Sequence, residues 1–373
     1  MTKKLLFALL ILISFCGFSQ NISLSEKAKV SILTCGLGPE SYAMYGHTGI
    51  RIQDSIQAID IVYNYGAFDF STPNFIGRFI KGDLQYFVTN GSFIDFYYNY
   101  QAENREIIEQ ELQLNPTQIN LLFQQLNHSV YSEERYYTYK FIDRNCTTMV
   151  VDKINGILGK EYIKSDTKNQ SYREILYPYM TDFYMKLGIQ LIFGTKVDEP
   201  ATRLFLPYKF KEAISYTKIN GDSIEKSNET ILEVSKPEVP FNWLNSIYSL
   251  ITILLVLVIL NKKWITISYF VFAGLLGLFF SLVGLYSLHE EILWNYNILL
   301  FNPLLLVFAW YVKKGNKEKM ILFGQIILAM VLIYLAYMTT KIHLEIVWPF
   351  IALHLYWIGK IVLQIKKSKL ARG

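Results

Sequence analysis

Arg144-Asn145-Cys146-Thr147-Thr148-Met149-Val150-Val151-Asp152 is the run on which the reading of this chain turns. Asn145 is a favoured N-cap residue, and the apolar stretch after it predicts a helix whose first residue, Cys146, lies in the positive end of the helix dipole. A cysteine at a helix N-terminus ionises readily, and a neighbouring imidazole completes the conditions for a strong nucleophile. Upstream, His47 opens the strand-like run His47-Thr48-Gly49-Ile50-Arg51-Ile52.

Working outward from this pair, residues 30–34 read as a strand, followed by the tight loop Cys35-Gly36-Leu37-Gly38-Pro39 and a short helix or turn through Tyr45. Residues 48–52 and 58–65 read as strands joined at Asp54-Ser55, 74–80 as a helix and 84–89 as a further strand. Pro116 suits the first position of a helix through Leu121, Leu122, Gln125 and Leu126. Alternation over 136–142 predicts a strand that delivers the chain to Asn145-Cys146. The class is α+β, a small sheet with helices packed against it.

Between residues 20 and 240 the only histidines are His47 and His128. His128 ends a helix, where an imidazole is usually solvated or dipole-stabilising. His47 is the stronger base candidate, because Gly46 and Gly49 leave room for close approach and a strand holds the ring. Asp60 and Asn64 share a parity on the next strand, so either can orient the imidazole; Asp60 is preferred because a carboxylate also stabilises imidazolium. Cys35, at a strand end before a Gly-rich loop, is the rival nucleophile or a small buried residue. A Cys35–Cys146 disulfide is the alternative fate of the two thiols. No cysteine and histidine spacing resembles a zinc site, and no metal or other cofactor is expected.

The ends of the chain set its compartment. Lys3 and Lys4 followed by the apolar 5–13 and small residues near Gly17 and Ser19 form the layout of a secretory signal peptide over 1–19. Phe15 stands where a lipoprotein signal at Cys16 needs a small residue. Five apolar runs of roughly membrane-spanning length follow, near 243–261, 264–287, 292–312, 319–339 and 342–364, making 241–365 a five-helix transmembrane domain. Lys262-Lys263, Lys313-Lys314-Gly315-Asn316-Lys317-Glu318-Lys319 and the basic tail of 366–373 fall on alternate connections, which places them in the cytoplasm and residues 20–240 outside it. These clusters account for most of the formal charge of +5, so the charge speaks for orientation and against a nucleic-acid partner. On the exported side, His289, Asn295, Asn297 and Asn302 are polar groups in or beside the third run, where such groups are costly and often functional. They are substrate-binding candidates with inter-helix hydrogen bonding as the alternative; His343 and Glu345 are looser ones.

The order of these features, a histidine opening a strand, a polar group on the next strand and Asn-Cys opening a later helix, resembles the circularly permuted papain-like fold of lecithin:retinol acyltransferase relatives. More closely, Leu33-Thr34-Cys35-Gly36, Tyr45-Gly46-His47-Thr48-Gly49-Ile50-Arg51, Asn64-Tyr65-Gly66-Ala67-Phe68-Asp69-Phe70, Asn145-Cys146-Thr147-Thr148 and Phe205-Leu206-Pro207 resemble the bacterial Lnb-type lipoprotein N-acyltransferases. The resemblance implies an inner-membrane, multi-pass enzyme with its catalytic domain in the periplasm. Cys146 would be the nucleophile and His47 its base, with Asp60 or Asn64 behind it and Asn145 at the substrate. An acyl chain from a membrane phospholipid would pass through a thioester to the α-amino group of a diacylglyceryl-cysteine lipoprotein. A papain-like hydrolase on the same pair and a non-catalytic membrane assembly or binding protein are the rival readings.

Overall fold

The computed structural model describes residues 23–166, 170–235 and 240–371. The expected signal peptide, with Cys16, lies outside the described residues. The N-terminal part is built on an antiparallel sheet whose central strands are β1 (Lys29–Cys35), β2 (His47–Asp54) and β3 (Ile59–Ala67). After helix α1 (Phe75–Lys81) comes β4 (Gln85–Ser92), then helix α2 (Phe93–Ala102), β5 (Ile107–Leu112), helix α3 (Pro116–Tyr131), β6 (Tyr136–Thr138) and helix α4 (Cys146–Leu158). A last long strand, Glu225–Leu232, completes a seven-stranded sheet with β6 and that strand at its edges and β2 at its centre. In the register, Cys35 pairs with His47 and Gly49 with Asn64.

Strand parity sorts the sheet into two faces. Val30, Ile32, Ile50, Ile52, Tyr63 and Tyr65 face α3 and α4, which contribute Leu122, Leu126, Val150 and Ile154 to the main core. Leu33, Cys35 and Val62 face α2 with its Phe96. Helix α3 starts as expected, Pro116 at its first turn and Asn115 closing a capping box with Gln118. The strand expected over 136–142 stops at Thr138, because Lys140 and Arg144 pair across a turn and bend the chain toward Cys146. Of the short helix or turn expected through Tyr45, the chain forms the turn.

Beyond residue 240 the chain is helical. Four stretches are long and apolar enough to cross a membrane: Lys263–Tyr286, Glu290–Lys314, Lys317–Met338 and Leu344–Leu370. The first of the five expected runs is a helix of only 14 residues, Ile247–Leu260, about 21 Å long at the α-helical rise. It nonetheless joins the two ends of the bundle. Ser249 meets Tyr184 of the N-terminal part at 2.7 Å, and Asn261 meets Lys360 at 3.0 Å among the lysine-bearing connectors. The third run is not one helix: short 3-10 turns at Glu290–Ile292 and Tyr296–Leu299 precede the α-helix Leu304–Lys314. Asn295 and Asn302 accept backbone N–H bonds from Asn297 and Leu304, and Pro303 cannot donate one, so each interrupts the helical ladder.

The N-terminal part seats on the bundle end that carries the 287–297 connector. Gly194 N–H donates to the Glu291 carbonyl at 2.8 Å and Thr195 N–H to that of Leu293 at 3.2 Å. A Cβ on Gly194 would overlap the Leu293 carbonyl, so only glycine permits this approach. At the far end the lysine connectors gather, Lys263 Nζ donating to the Lys313 carbonyl and Lys369 pairing with Glu318.

Candidate active site

Asn145 is the N-cap of α4, its Oδ1 accepting from the Thr147 and Thr148 N–H groups at 2.9 Å each. Its Nδ2 donates to the carbonyls of Phe141 (2.8 Å) and Phe205 (2.9 Å), so the amide is filled. Asn145 is thus buried and fixes where Cys146 begins the helix, and it lines the same cavity as Cys146. The Cys146 N–H, at the first helical position, has no acceptor within the helix.

The head of α4 meets the end of the sheet where β2 starts. Thr48 Oγ1 and Thr147 Oγ1 lie 3.0 Å apart, tying the helix to the residue after His47. Opposite them β3 is irregular between Asn64 and Ala67. Gly66 there has φ +95°, a left-handed conformation that glycine takes without penalty, and it lies against Cys146.

Cys146 and His47 are both half-buried and in contact. Burial pushes the thiol up, but the adjacent His47 charge and its hydrogen bond, with help from the Thr48 N–H and the Thr147 hydroxyl, outweigh it and hold the Cys146 pKa below the ordinary thiol value. His47 Nε2 lies 3.2 Å from Asn64 Oδ1. With the amide so oriented its oxygen only accepts, so Nε2 carries the proton and Nδ1 is left to exchange one with sulfur.

Asp60 corrects the preference drawn from parity. It shares Asn64's face but stands four residues further along β3, about 13 Å away, where Arg51 Nε and Nη2 take both its oxygens at 2.7 Å. Asn64 alone reaches the imidazole. Cys35 is fully buried and free, its thiol pushed up to about 12 by burial; Cys146 is also free, so the two are not bridged. His128 is exposed at the end of α3 beside Glu134.

Cys146 and His47 open into a cavity of about 610 Å³, within the span of ~300–1,000 Å³ usual for small-molecule sites. Its walls are rich in aromatic residues, among them Tyr65, Phe68, Phe70 and Phe205 from two of the sequence motifs, and its far end reaches His289, Glu291 and Ile292 of the bundle connector. His289 lines the cavity, with Nε2 2.8 Å from the Phe79 carbonyl. Asn295, Asn297 and Asn302 do not, and their expected role at the substrate is corrected. Asn295 and Asn297 donate to the Leu191 carbonyl at 2.8 and 2.9 Å, Asn297 also accepts from Tyr334, and Asn302 lies against Met330. These three buried amides bind backbone and neighbouring helices, the alternative role of polar groups at such depth. His343 and Glu345 are likewise engaged, with Tyr296 and Tyr177.

Two site features carried no signal of their own. Glu291 follows an equally acidic Glu290 in sequence, and only the fold turns one inward; Thr147 reads as a helix residue until its hydroxyl meets Thr48. Among the described residues no cluster of three or more His, Cys, Asp or Glu is placed to hold a metal ion.

A family model described as the Lnb N-terminal periplasmic domain matches residues 15–178, and a second, described as the Lnb transmembrane domain, matches residues 229–369. No curated protein and no solved structure matches the chain. The first model spans the strands and helix that carry His47, Asn64 and Cys146, the second the apolar bundle, and together they assign the chain to the Lnb family, as a multi-pass membrane protein with an N-terminal periplasmic domain.

Proposed function

We propose that the protein is a lipoprotein N-acyltransferase of the bacterial inner membrane, working through a Cys146 thioester in a circularly permuted papain-like domain. We read the short helix Ile247–Leu260 as its fifth crossing. The observation that carries this reading is the placement of an ionisable thiol at one end of an apolar cavity whose other end lies at the bundle connector. A phospholipid acyl chain fits such a cavity, and a lipid-anchored acceptor reaches it from the same layer, so confinement raises the effective concentration of both.

The chemistry follows from the geometry. The Cys146 thiolate attacks the ester carbonyl, the oxyanion is met by the Cys146 N–H at the head of α4, and the C–O bond breaks as imidazolium His47 gives its proton to the departing lysophospholipid oxygen. Asn64 holds the ring for both transfers. A lipoprotein α-amine then attacks the thioester carbonyl, forming the amide and returning the sulfur. Apolar walls that exclude water favour transfer over hydrolysis.

Purified protein in phospholipid vesicles should show one acyl adduct on the peptide containing Cys146 by intact mass spectrometry, with lysophospholipid released. Addition of a diacyl lipopeptide should then yield N-acylated peptide. Free fatty acid alone would assign a hydrolase, and full rescue of a null strain by Cys146→Ala would remove catalysis altogether.

A further inference from the structure

Glu291 is the one carboxylate among the residues lining the cavity, and that lining includes no lysine or arginine. The residue is 3% exposed. Oε1 accepts a 3.3 Å bond from the Ile142 N–H, while Oε2 is buried with no hydrogen-bond partner among the described residues. Its backbone carbonyl accepts the Gly194 N–H at 2.8 Å, which ties the residue to the seat of the N-terminal part. Tyr139 lies between the two ends: after burial, the charges at Cys146 and, more weakly, Glu291 push its phenol up. A buried carboxylate with an unfilled oxygen is costly unless a cation meets it, and here the cation must come with a ligand.

We propose that Glu291 is the acceptor-side residue of the transfer, holding the ammonium of the incoming lipoprotein N-terminus and taking one of its protons. The proposal rests on the acyl-transfer reading. An α-amino group has a pKa of about 8, so at neutral pH it arrives mostly protonated and has no lone pair to offer. Glu291 accepts one proton, leaving the neutral amine. The amine nitrogen bonds to the thioester carbonyl carbon, the C–S bond breaks, and the second amine proton passes to His47, restoring thiolate and imidazolium. Protonated Glu291 then returns its proton to water as the amide leaves.

Two ammonium sources share this chemistry, the acceptor amine and the head group of a phosphatidylethanolamine donor, and a Glu291→Gln variant separates them. In single turnovers, adduct formation on Cys146 from phosphatidylglycerol and from phosphatidylethanolamine vesicles should each stay within about two-fold of wild type. Transfer of that acyl group to a diacyl lipopeptide at neutral pH should fall on the order of 100-fold, the loss expected for a general base. It should recover as pH rises past the amine pKa, while hydroxylamine, an uncharged nucleophile, strips both proteins at equal rates. Glu291→Asp should regain part of the transfer. Unchanged transfer, loss of adduct formation, or a loss confined to the phosphatidylethanolamine donor would each overturn the assignment. Absence of an adduct on the wild-type protein would instead remove the acyl-transfer reading and this proposal with it.

Discussion

Cys146 and Cys35 place the same functional group in opposite states, which makes the pair its own internal control. Cys146 is held below the ordinary thiol value because His47 outweighs burial, whereas at Cys35 burial outweighs the Tyr100 hydrogen bond and the Arg105 charge and pushes the thiol up to about 12. A depressed pKa means the reactive thiolate is already present below the usual thiol range of about 8.5. Iodoacetamide should therefore label Cys146 with a midpoint below that value and leave Cys35 unlabelled in the folded protein, as peptide mapping would show. His47→Ala removes the lowering influence, so the Cys146 midpoint should move above the ordinary value. Asn64→Ala should cut transfer about ten-fold with the thiol still present, since it frees the ring; Asp60→Ala should leave kcat near wild type and cost only the Arg51 contact. Cys146 and His47 were legible as a pair in sequence because a capped helix start and a Gly-flanked histidine are local signals. The third member was not, because parity assigns a face but not a position along it, and Arg51, on the neighbouring strand, had already taken Asp60.

Elements were legible in proportion to how local their causes are. The strands around β2 and the starts of α3 and α4 follow from alternation, turn residues and caps. The third apolar run defeated the same reasoning, since hydropathy counts residues while Asn295, Asn302 and Pro303 break the backbone ladder within it. Helix α1, in the N-terminal part, carries an exposed apolar surface. None of its seven residues is buried, and Ile76, Phe79 and Ile80 are exposed at 71, 50 and 49%. It is fastened to the bundle connector, Leu288 N–H donating to the Lys81 carbonyl at 2.6 Å and Ser287 Oγ to that of Ile80 at 2.8 Å. Phe75 and Phe79 also line the cavity, so α1 forms part of its wall. The proposed function puts this apolar face at the bilayer interface. Ile76→Glu with Ile80→Glu should slow reaction with vesicles by about ten-fold or more, given ~1.5–3 kcal/mol for burying each side chain. The rate with a monomeric short-chain ester should stay within about two-fold; an equal loss on both substrates would show that α1 shapes the site and does not meet the membrane.

At the scale of the molecule, the division into a periplasmic part and an apolar bundle was legible because lysines on alternate connectors and a composition change are global signals, and the far-end contacts of Lys263, Lys360 and Lys369 fit that orientation. The seat between the two parts was not, because it joins residues near 173–198 to residues near 296–345 with no local pattern. Arg173, 1% exposed, donates Nε to Asp198 at 2.9 Å and Nη1 to Gln190 at 2.7 Å. Asp198 in turn accepts from the Tyr296 hydroxyl at 2.9 Å and pairs with Lys341 at 3.4 Å, both from the bundle. One carboxylate thus holds a cation of the periplasmic part and a hydroxyl and a cation of the bundle. Asp198→Asn leaves Arg173 buried without its counter-charge, a change that typically costs ~3–5 kcal/mol. The sheet core lies elsewhere, around Ile32, Ile50 and Val150, so the domain should stay folded while its seat loosens. Hydrogen exchange should quicken over 287–297 and 190–198 and stay unchanged over β1 to β3. Because His289, Glu291 and Ile292 close the far end of the cavity, transfer should fall together with that protection while Cys146 keeps its low alkylation midpoint. If exchange quickened equally in β2, the Arg173–Asp198 pair would belong to the folding of the domain and not to its docking on the membrane helices.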